Sequence, residues 1–384
     1  MSSFGREILP EWFFDNELTF LNHGAYGAVP RQVFAAQEQW RQKLERQPVE
    51  FMDEVLVPEL KKVGDQLSGH IGASSGHLVF ACNTSEAISG IAHSLKWAPG
   101  DEILVTNQVH SGVFNIFSHL CGQSGADLRT VALPWPVSSA RQIIDAVKPH
   151  LNERVRLAVF DHVSSKHSIV MPLKTLVNMC HAAGIAVLVD GAHAPGMLDL
   201  QTSEIGADWY IGNCHKWLLA PRGSAFLVAL PEKQMVTHPA VISTTFGQGF
   251  WTEFAWTGTR DPSPWLSVAA ALEFWRGLGV KEGRSYMCSL ADWAGDQLVS
   301  DWRTERGAGS NLTGAMITVR VPQNKPLKSQ DGNVLHDWLL REHNIEVPVF
   351  SFNDALWLRI SVHLYNNEAD IMRLSQALRQ YIPS

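Results

Sequence analysis

Seven short apolar runs constrain this 384-residue chain more than any other feature: HLVFA (77–81), EILVT (102–106), RTVAL (129–133), VRLAVF (155–160), IAVLVD (185–190), WYIG (209–212) and SAFLVAL (224–230). Between most of them lie stretches such as SEAISGIAHSLKW, SARQIIDAVKPHL and PLKTLVNMCHAAG. Their apolar positions recur at three- or four-residue spacing, which lines up one face of a helix. Strands that lack polar alternation are buried on both faces, and strands that alternate with amphipathic helices form a mostly parallel sheet between helical layers. The pattern predicts an α/β fold around a seven-stranded, mostly parallel sheet.

The flanks read differently. PRQVFAAQEQWRQKLERQP predicts one long helix with Pro30 at its first position, where a missing N–H costs nothing. Past Pro264, WLSVAAALEFWRGLG reads as a helix ending in glycine, followed by a long helical pattern over 283–303. Strands AMITVRV and LWLRISV then alternate with helices VLHDWLLREHN and ADIMRLSQALRQYI, a smaller α+β unit. The expected organisation is an N-terminal arm (1–20) packed on a small C-terminal domain (281–384), with a large domain (21–280) between them.

Composition removes several function classes. With 38 Asp+Glu against 31 Lys+Arg the net charge is −7, which disfavours a nucleic-acid backbone as partner and favours a small molecule. The N-terminal MSSFGREILPEWFF is charged where a secretory signal would be apolar, and no apolar stretch is long enough for a membrane span. Five cysteines (82, 121, 180, 214, 288) form no CxxC pair and no disulfide framework, so a reducing compartment, the cytoplasm, is expected. Fourteen tryptophans spread along the chain read as core and interface filler.

Ligands of parallel α/β sheets bind beyond the carboxyl ends of the strands. Three runs end suggestively there: IAVLVD stops at Asp190 and continues GAHAPG, VRLAVF stops at Asp161 before HVSS, and WYIG leads into NCHKWLLAP with Lys216. A buried carboxylate or lysine is unfavourable without a partner. Pyridoxal 5′-phosphate uses both, a lysine to form an aldimine and an acid to keep its ring nitrogen protonated. In CNTSEAISG, residues Asn83, Thr84 and Ser85 follow a strand and open a helix, a place that suits a phosphate dianion. The same string also caps a helix for purely structural reasons.

Six motifs in order, LNHGAYGAVP (21–30), NTSEA (83–87), DGAHAPG (190–196), GNCHKWL (212–218), WTGTRD (256–261) and LRISVHLYN (358–366), carry a wider likeness. Over most of its length the chain resembles the class V aminotransferase superfamily of fold type I pyridoxal phosphate enzymes. It is most similar to the isopenicillin N epimerase-like branch, which is related to cysteine desulfurases and C–S lyases. The resemblance implies that Lys216 links to the cofactor and then serves as general base, and that Asp190 pairs with the pyridinium. His193 would sit by the ring hydroxyl, and His110 would occupy the place where the family stacks an aromatic ring. Asn83, Thr84, Ser85, Ser165, Asn213 and His215 would join the cofactor contacts, and Thr259 would reach the phosphate from the partner subunit of a homodimer. Arg359 would clamp the substrate α-carboxylate, with Asn22 and His23 lining the substrate side. The histidines near Asp190 lack a metal-ligand spacing, so no metal is expected.

Two departures narrow the chemistry. A persulfide-forming desulfurase needs a nucleophilic cysteine on the loop before the carboxylate-binding arginine, and NIEVPVFSFNDALW contains none. Cys214 is expected to pack below the cofactor. SSKHSIVMP (164–172) stands where the branch usually has a Ser-Pro-Thr-like turn; Lys166 and His167 there either contact an acidic or polar substrate tail or form a solvent loop. The expected activity is an epimerase-like reaction on an amino acid through an external aldimine and a Cα carbanion. A C–S lyase acting on a cysteine conjugate or sulfoxide, an aminotransferase, and a non-catalytic binding protein on the same fold are the alternatives.

Overall fold

The computed structural model describes residues 4–323 and 331–381. The outermost parts of the expected arm (1–3) and small domain (382–384), and the stretch 324–330 within that domain, lie outside the described residues. A short strand, β1 (Thr19–Phe20), precedes the main sheet. That sheet holds β2 (Leu78–Ala81), β3 (Glu102–Thr106), β4 (Asp127–Val131), β5 (Val155–Asp161), β6 (Ala186–Asp190), β7 (Trp209–Asn213) and β8 (Ala225–Ala229) in the order β2-β8-β7-β6-β5-β3-β4. From β4 across to β7 the pairs are parallel, while β8 runs antiparallel to both β7 and β2. The reversal follows from the connection: 214–224 carries no helix to bring the chain back to the starting edge, so β8 returns alongside β7.

Side chains alternate faces along each strand. Val187 and Val189 of β6 pack into one core with the helices Leu56–Ile71, Leu173–Ala182 and Val268–Leu278. Leu188 between them points into the opposite core, with Thr84–Ser94 and Ser111–Ser124. Both faces of the sheet are therefore covered, and its open ground is the carboxyl edge.

A second, antiparallel sheet is built from β9 (Met316–Arg320), β11 (Val349–Phe352) and β12 (Ala355–Ser361), ordered β11-β12-β9. Its core takes Leu290, Leu298, Ile317, Leu358 and Ile360, together with Leu21 from the N-terminal side. The remaining strand, β10 (Ile345–Glu346), pairs in parallel with β1. Arg6 adds an ion pair to Asp370, and Gly5 N–H donates to the Leu364 carbonyl at 2.7 Å. The N-terminal segment thus crosses to the smaller sheet.

Two local expectations shift. Pro30 stands before its helix, which begins at Arg31: ψ at the proline is 151°, extended rather than helical. The third run forms β4 two residues earlier than its apolar letters suggest, because Leu133 N–H leaves the ladder for the Asn107 side chain at 3.0 Å.

Candidate active site

The carboxyl ends of β5, β6 and β7 bring the ionisable residues together. Asp161 and Asp190 are register partners on adjacent parallel strands, and both are buried. Asp190 Oδ1 accepts the Ala192 N–H at 3.0 Å. Burial raises the Asp190 pKa, opposed by that N–H and by Lys216; burial and then Asp190 itself raise that of Asp161 well above the usual carboxylate range. Two buried acids side by side disfavour double ionisation, so the pair calls for a proton or a cation.

Lys216 lies on the loop after β7, where two glycines let other backbone approach closely. A Cβ on Gly27, whose φ is +68°, would collide with the His215 carbonyl, and one on Gly196, φ +87°, with the Trp217 carbonyl. Lys216 Nζ is 3.1 Å from His193 Nε2. The proton between them can be placed. The Trp217 indole N–H, a donor only, is directed at His193 Nδ1 at 3.2 Å, so Nδ1 accepts and the ring proton sits on Nε2. Burial holds His193 neutral, its pKa well below the usual value. His193 Nε2–H can therefore donate to the neutral form of Lys216, which accepts through a lone pair that an ammonium lacks. Burial lowers the Lys216 pKa to about 8, in the same sense.

The N-terminus of the helix Thr84–Ser94 meets the carboxyl end of β7. Asn83 is its cap, its side chain accepting the Glu86 N–H at 2.9 Å, and the Thr84 N–H donates to Asn213 Oδ1 at 3.1 Å. The structural half of the sequence reading thus holds for Asn83, while Ser85 stays exposed on the first turn. His215 Nδ1 donates to the Ser224 carbonyl at 2.9 Å, and burial lowers its pKa to about 4. Its Nε2 is then an acceptor, and an anion contact there requires the imidazolium.

Arg359 is buried in β12. Its Nη1 donates to the Ser165 carbonyl at 2.8 Å and its Nη2 to Asn22 Oδ1 at 2.7 Å, while Asn22 Nδ2 donates to Glu346 at 2.7 Å. The Arg359 Nε has no partner among the described residues. Burial lowers its pKa to about 10, which leaves it a cation at neutral pH. Lys216 and Arg359 line a common cleft of about 400 Å³ together with His110, Ser165, Lys166 and His167. His110 caps the helix Ser111–Ser124, accepting the Gly112 N–H at 3.1 Å, and its pKa is lowered by partial burial and by Lys216 and Lys166, against Asp190.

His23 and Asn22 take positions other than the expected one, and Thr259 is expected to act only across a subunit interface. His23 is fully buried, its two nitrogens engaged by the Tyr365 hydroxyl at 2.8 Å and the Lys216 carbonyl at 3.0 Å, so it braces the lysine loop from behind and does not face substrate. Asn22 spends its amide on Arg359 and Glu346, which makes it an orienting residue. Thr259 is exposed in the single chain and lies outside the cleft lining. The sequence reading passed over Asp161 as a site residue, although its strand ends as that of Asp190 does. It also passed over Gln108, a buried amide in the cleft wall with no sequence signal beyond following a strand.

These groups suit pyridoxal phosphate: an amine of lowered pKa for its aldehyde, a buried acid pair that needs a cation, and a helix N-terminus for its phosphate. The aminotransferase class-V family model matches residues 28–374. The chain belongs to the class-V aminotransferase family. This class-V protein is 33% identical over 387 residues to isopenicillin N epimerase of Amycolatopsis lactamdurans, covering 95% of this chain and 96% of that protein. It is 31% identical to a protein named probable L-cysteine desulfhydrase, chloroplastic, of Arabidopsis thaliana, covering 95% and 83%. A solved structure of a C-DES variant with glycine covalently linked to the PLP cofactor superposes with a TM-score of 0.79 at 20% identity, covering 94% of this chain and 96% of that one. The fold is that of a fold type I pyridoxal phosphate transferase, and the protein is a pyridoxal phosphate-dependent enzyme, as its motifs imply.

Proposed function

We propose that this class-V enzyme epimerises an amino acid at Cα. The observation that carries the reading is the Lys216 amine, its pKa lowered to about 8, held by His193 in the same cleft as the unpartnered Arg359 Nε. Bound pyridoxal phosphate supplies an electron sink for the α-carbon. Asp190, with Asp161 beside it, balances the positive ring nitrogen. Ser85, Thr84 and Asn213 receive the phosphate, His215 joining them where the dianion draws a proton onto its Nε2, with Thr259 arriving from a second subunit. Arg359, aimed by Asn22 and Ser165, takes the α-carboxylate through two parallel N–H donors. Lys216 then removes the α-proton, and its lowered pKa suits a base that works near neutral pH.

The 33% relative named as an epimerase, matched nearly end to end, supports return of the proton on the opposite face. The 31% relative named as a desulfhydrase supports a second reading, C–S bond cleavage after the same proton abstraction. No cysteine stands among the described residues lining the cleft, and burial pushes the Cys214 thiol up, both of which speak against a persulfide route. A homodimer is proposed on the exposed Thr259 and the exposed apolar side chains Met235, Ile242 and Phe246. A cytoplasmic setting is proposed on five free cysteines; among the described residues no helix is long and apolar enough to cross a membrane.

Turnover in D2O separates the two reactions. Deuterium at Cα, with the opposite configuration appearing and no keto acid, supports epimerisation. Pyruvate with a released sulfur species replaces it with the lyase reading.

A further inference from the structure

The cleft that holds Lys216 and Arg359 is also lined by polar groups that the steps above leave unused. Gln108 is 4% exposed and His167 is 3% exposed, and both line the cleft. Neither the Gln108 amide atoms nor the two His167 ring nitrogens have a hydrogen-bond partner among the described residues. Buried polar atoms without partners are unfavourable by an amount a packed structure rarely tolerates, so a ligand group is the natural partner for such atoms on a cleft wall. His167 is also held in place, edge-on to Trp135 at 4.6 Å and Phe352 at 4.5 Å between ring centroids.

Charge supplies the second observation. Two cations, Lys166 and Arg359, line this cleft beside the Lys216 amine, and among the described lining residues there is no aspartate or glutamate. Arg359 is answered by the substrate α-carboxylate, with Glu346 behind it, and Lys216 faces Asp190 and Asp161. Lys166 has neither assignment. Its loop is fixed, because the Lys166 carbonyl accepts from Thr318 Oγ1 at 3.3 Å and the Ser165 carbonyl from Arg359. The Lys166 ammonium is also near enough to lower the pKa of both His110 and His167. A cleft lined by one sign of charge selects the opposite sign in its ligand.

We infer that the substrate is an α-amino acid whose side chain ends in a carboxylate, received by Lys166, Gln108 and His167. Gln108 Nε2 and the His167 N–H donate to the tail oxygens, and Lys166 supplies the countercharge at the mouth. The inference rests on the amino-acid reading above and narrows it: a short neutral side chain such as that of cysteine leaves the Gln108 and His167 atoms without partners.

The test uses the cofactor-loaded enzyme and measures Kd by the change in cofactor absorption and, independently, by calorimetry. The probes are L-glutamate and L-2-aminoadipate, set against the uncharged L-norvaline and L-norleucine. Wild type is expected to prefer the anionic tails by about tenfold or more. In Lys166→Met that ratio is expected to fall to near one, with Lys166→Arg restoring most of it; Lys166 is exposed, so the fold is not at risk. Gln108→Leu is expected to reduce the same ratio. Equal affinity for both series, or a ratio that Lys166→Met leaves unchanged, overturns the carboxylate-tail inference while the amino-acid reading stands. Failure of every amino acid to bind overturns both.

Discussion

Replacing Lys216 by methionine tests the site before any turnover is measured. Burial lowers the lysine pKa from 10.5 to about 8. At about 1.4 kcal/mol per pKa unit, a folded chain that keeps this amine protonated is less stable by about 3 kcal/mol. The amine opens on the cleft, so about 2 kcal/mol is the better figure. Below pH 8 the amine is protonated in both states and the full penalty applies. Between pH 8 and 10.5 the unfolded chain binds the proton that the folded chain has released, so stability rises with pH across that window. Methionine has no such term. Urea unfolding of cofactor-free wild type and Lys216→Met at pH 7 and pH 10 reads it as a double difference, in which every titrating group not coupled to the amine cancels. Wild type is expected to gain about 2 kcal/mol relative to the variant on going to pH 10, and the variant to be the more stable of the two at pH 7. A double difference near zero, or one of opposite sign, refutes the claim that this amine is buried and destabilised as a cation.

Arg359→Lys keeps the charge and loses the two-pronged geometry, so amino-acid Kd, read from cofactor absorption, is expected to weaken by about tenfold to a hundredfold, the worth of one charge-assisted hydrogen bond. Trp217→Phe removes the donor that fixes the His193 tautomer. The midpoint of the pH–rate profile for cofactor attachment is then expected to move up by about one unit, from a hydrogen bond of about 1 kcal/mol, and an unmoved midpoint rejects the proton placement. Gly27→Ala forces a Cβ onto the His215 carbonyl at a positive φ, and a loss of about 2 kcal/mol or more in urea unfolding is expected.

The main sheet was legible because β5, β6 and β7 are buried on both faces and leave an unbroken apolar signature. β11 was not: its residues are only partly buried, with Ser351 exposed, and its VFSF run sits in what reads as a loop. Asp190 and Lys216 could be read because strand ends mark the ligand edge, and the same logic applied to Asp161 would have found the second acid. His23 misled because its motif places it near the cofactor, whereas only the fold reveals that Tyr365 and the Lys216 backbone occupy both nitrogens. Asn83 was ambiguous for a physical reason, since one amide oxygen can cap a helix or help receive an anion, and here it caps. Gln108 carries no periodicity and no motif; its meaning lies in the absence of a partner, which a sequence does not record.

The central claim is that Lys216 is the amine that holds the cofactor aldehyde. Loading the purified protein with pyridoxal phosphate, reducing with borohydride and mapping the modified peptide tests it directly. The expected result is a yellow protein whose colour is lost on reduction and one adduct at position 216, absent from Lys216→Met. A colourless protein, or an adduct on another lysine such as Lys166, contradicts it.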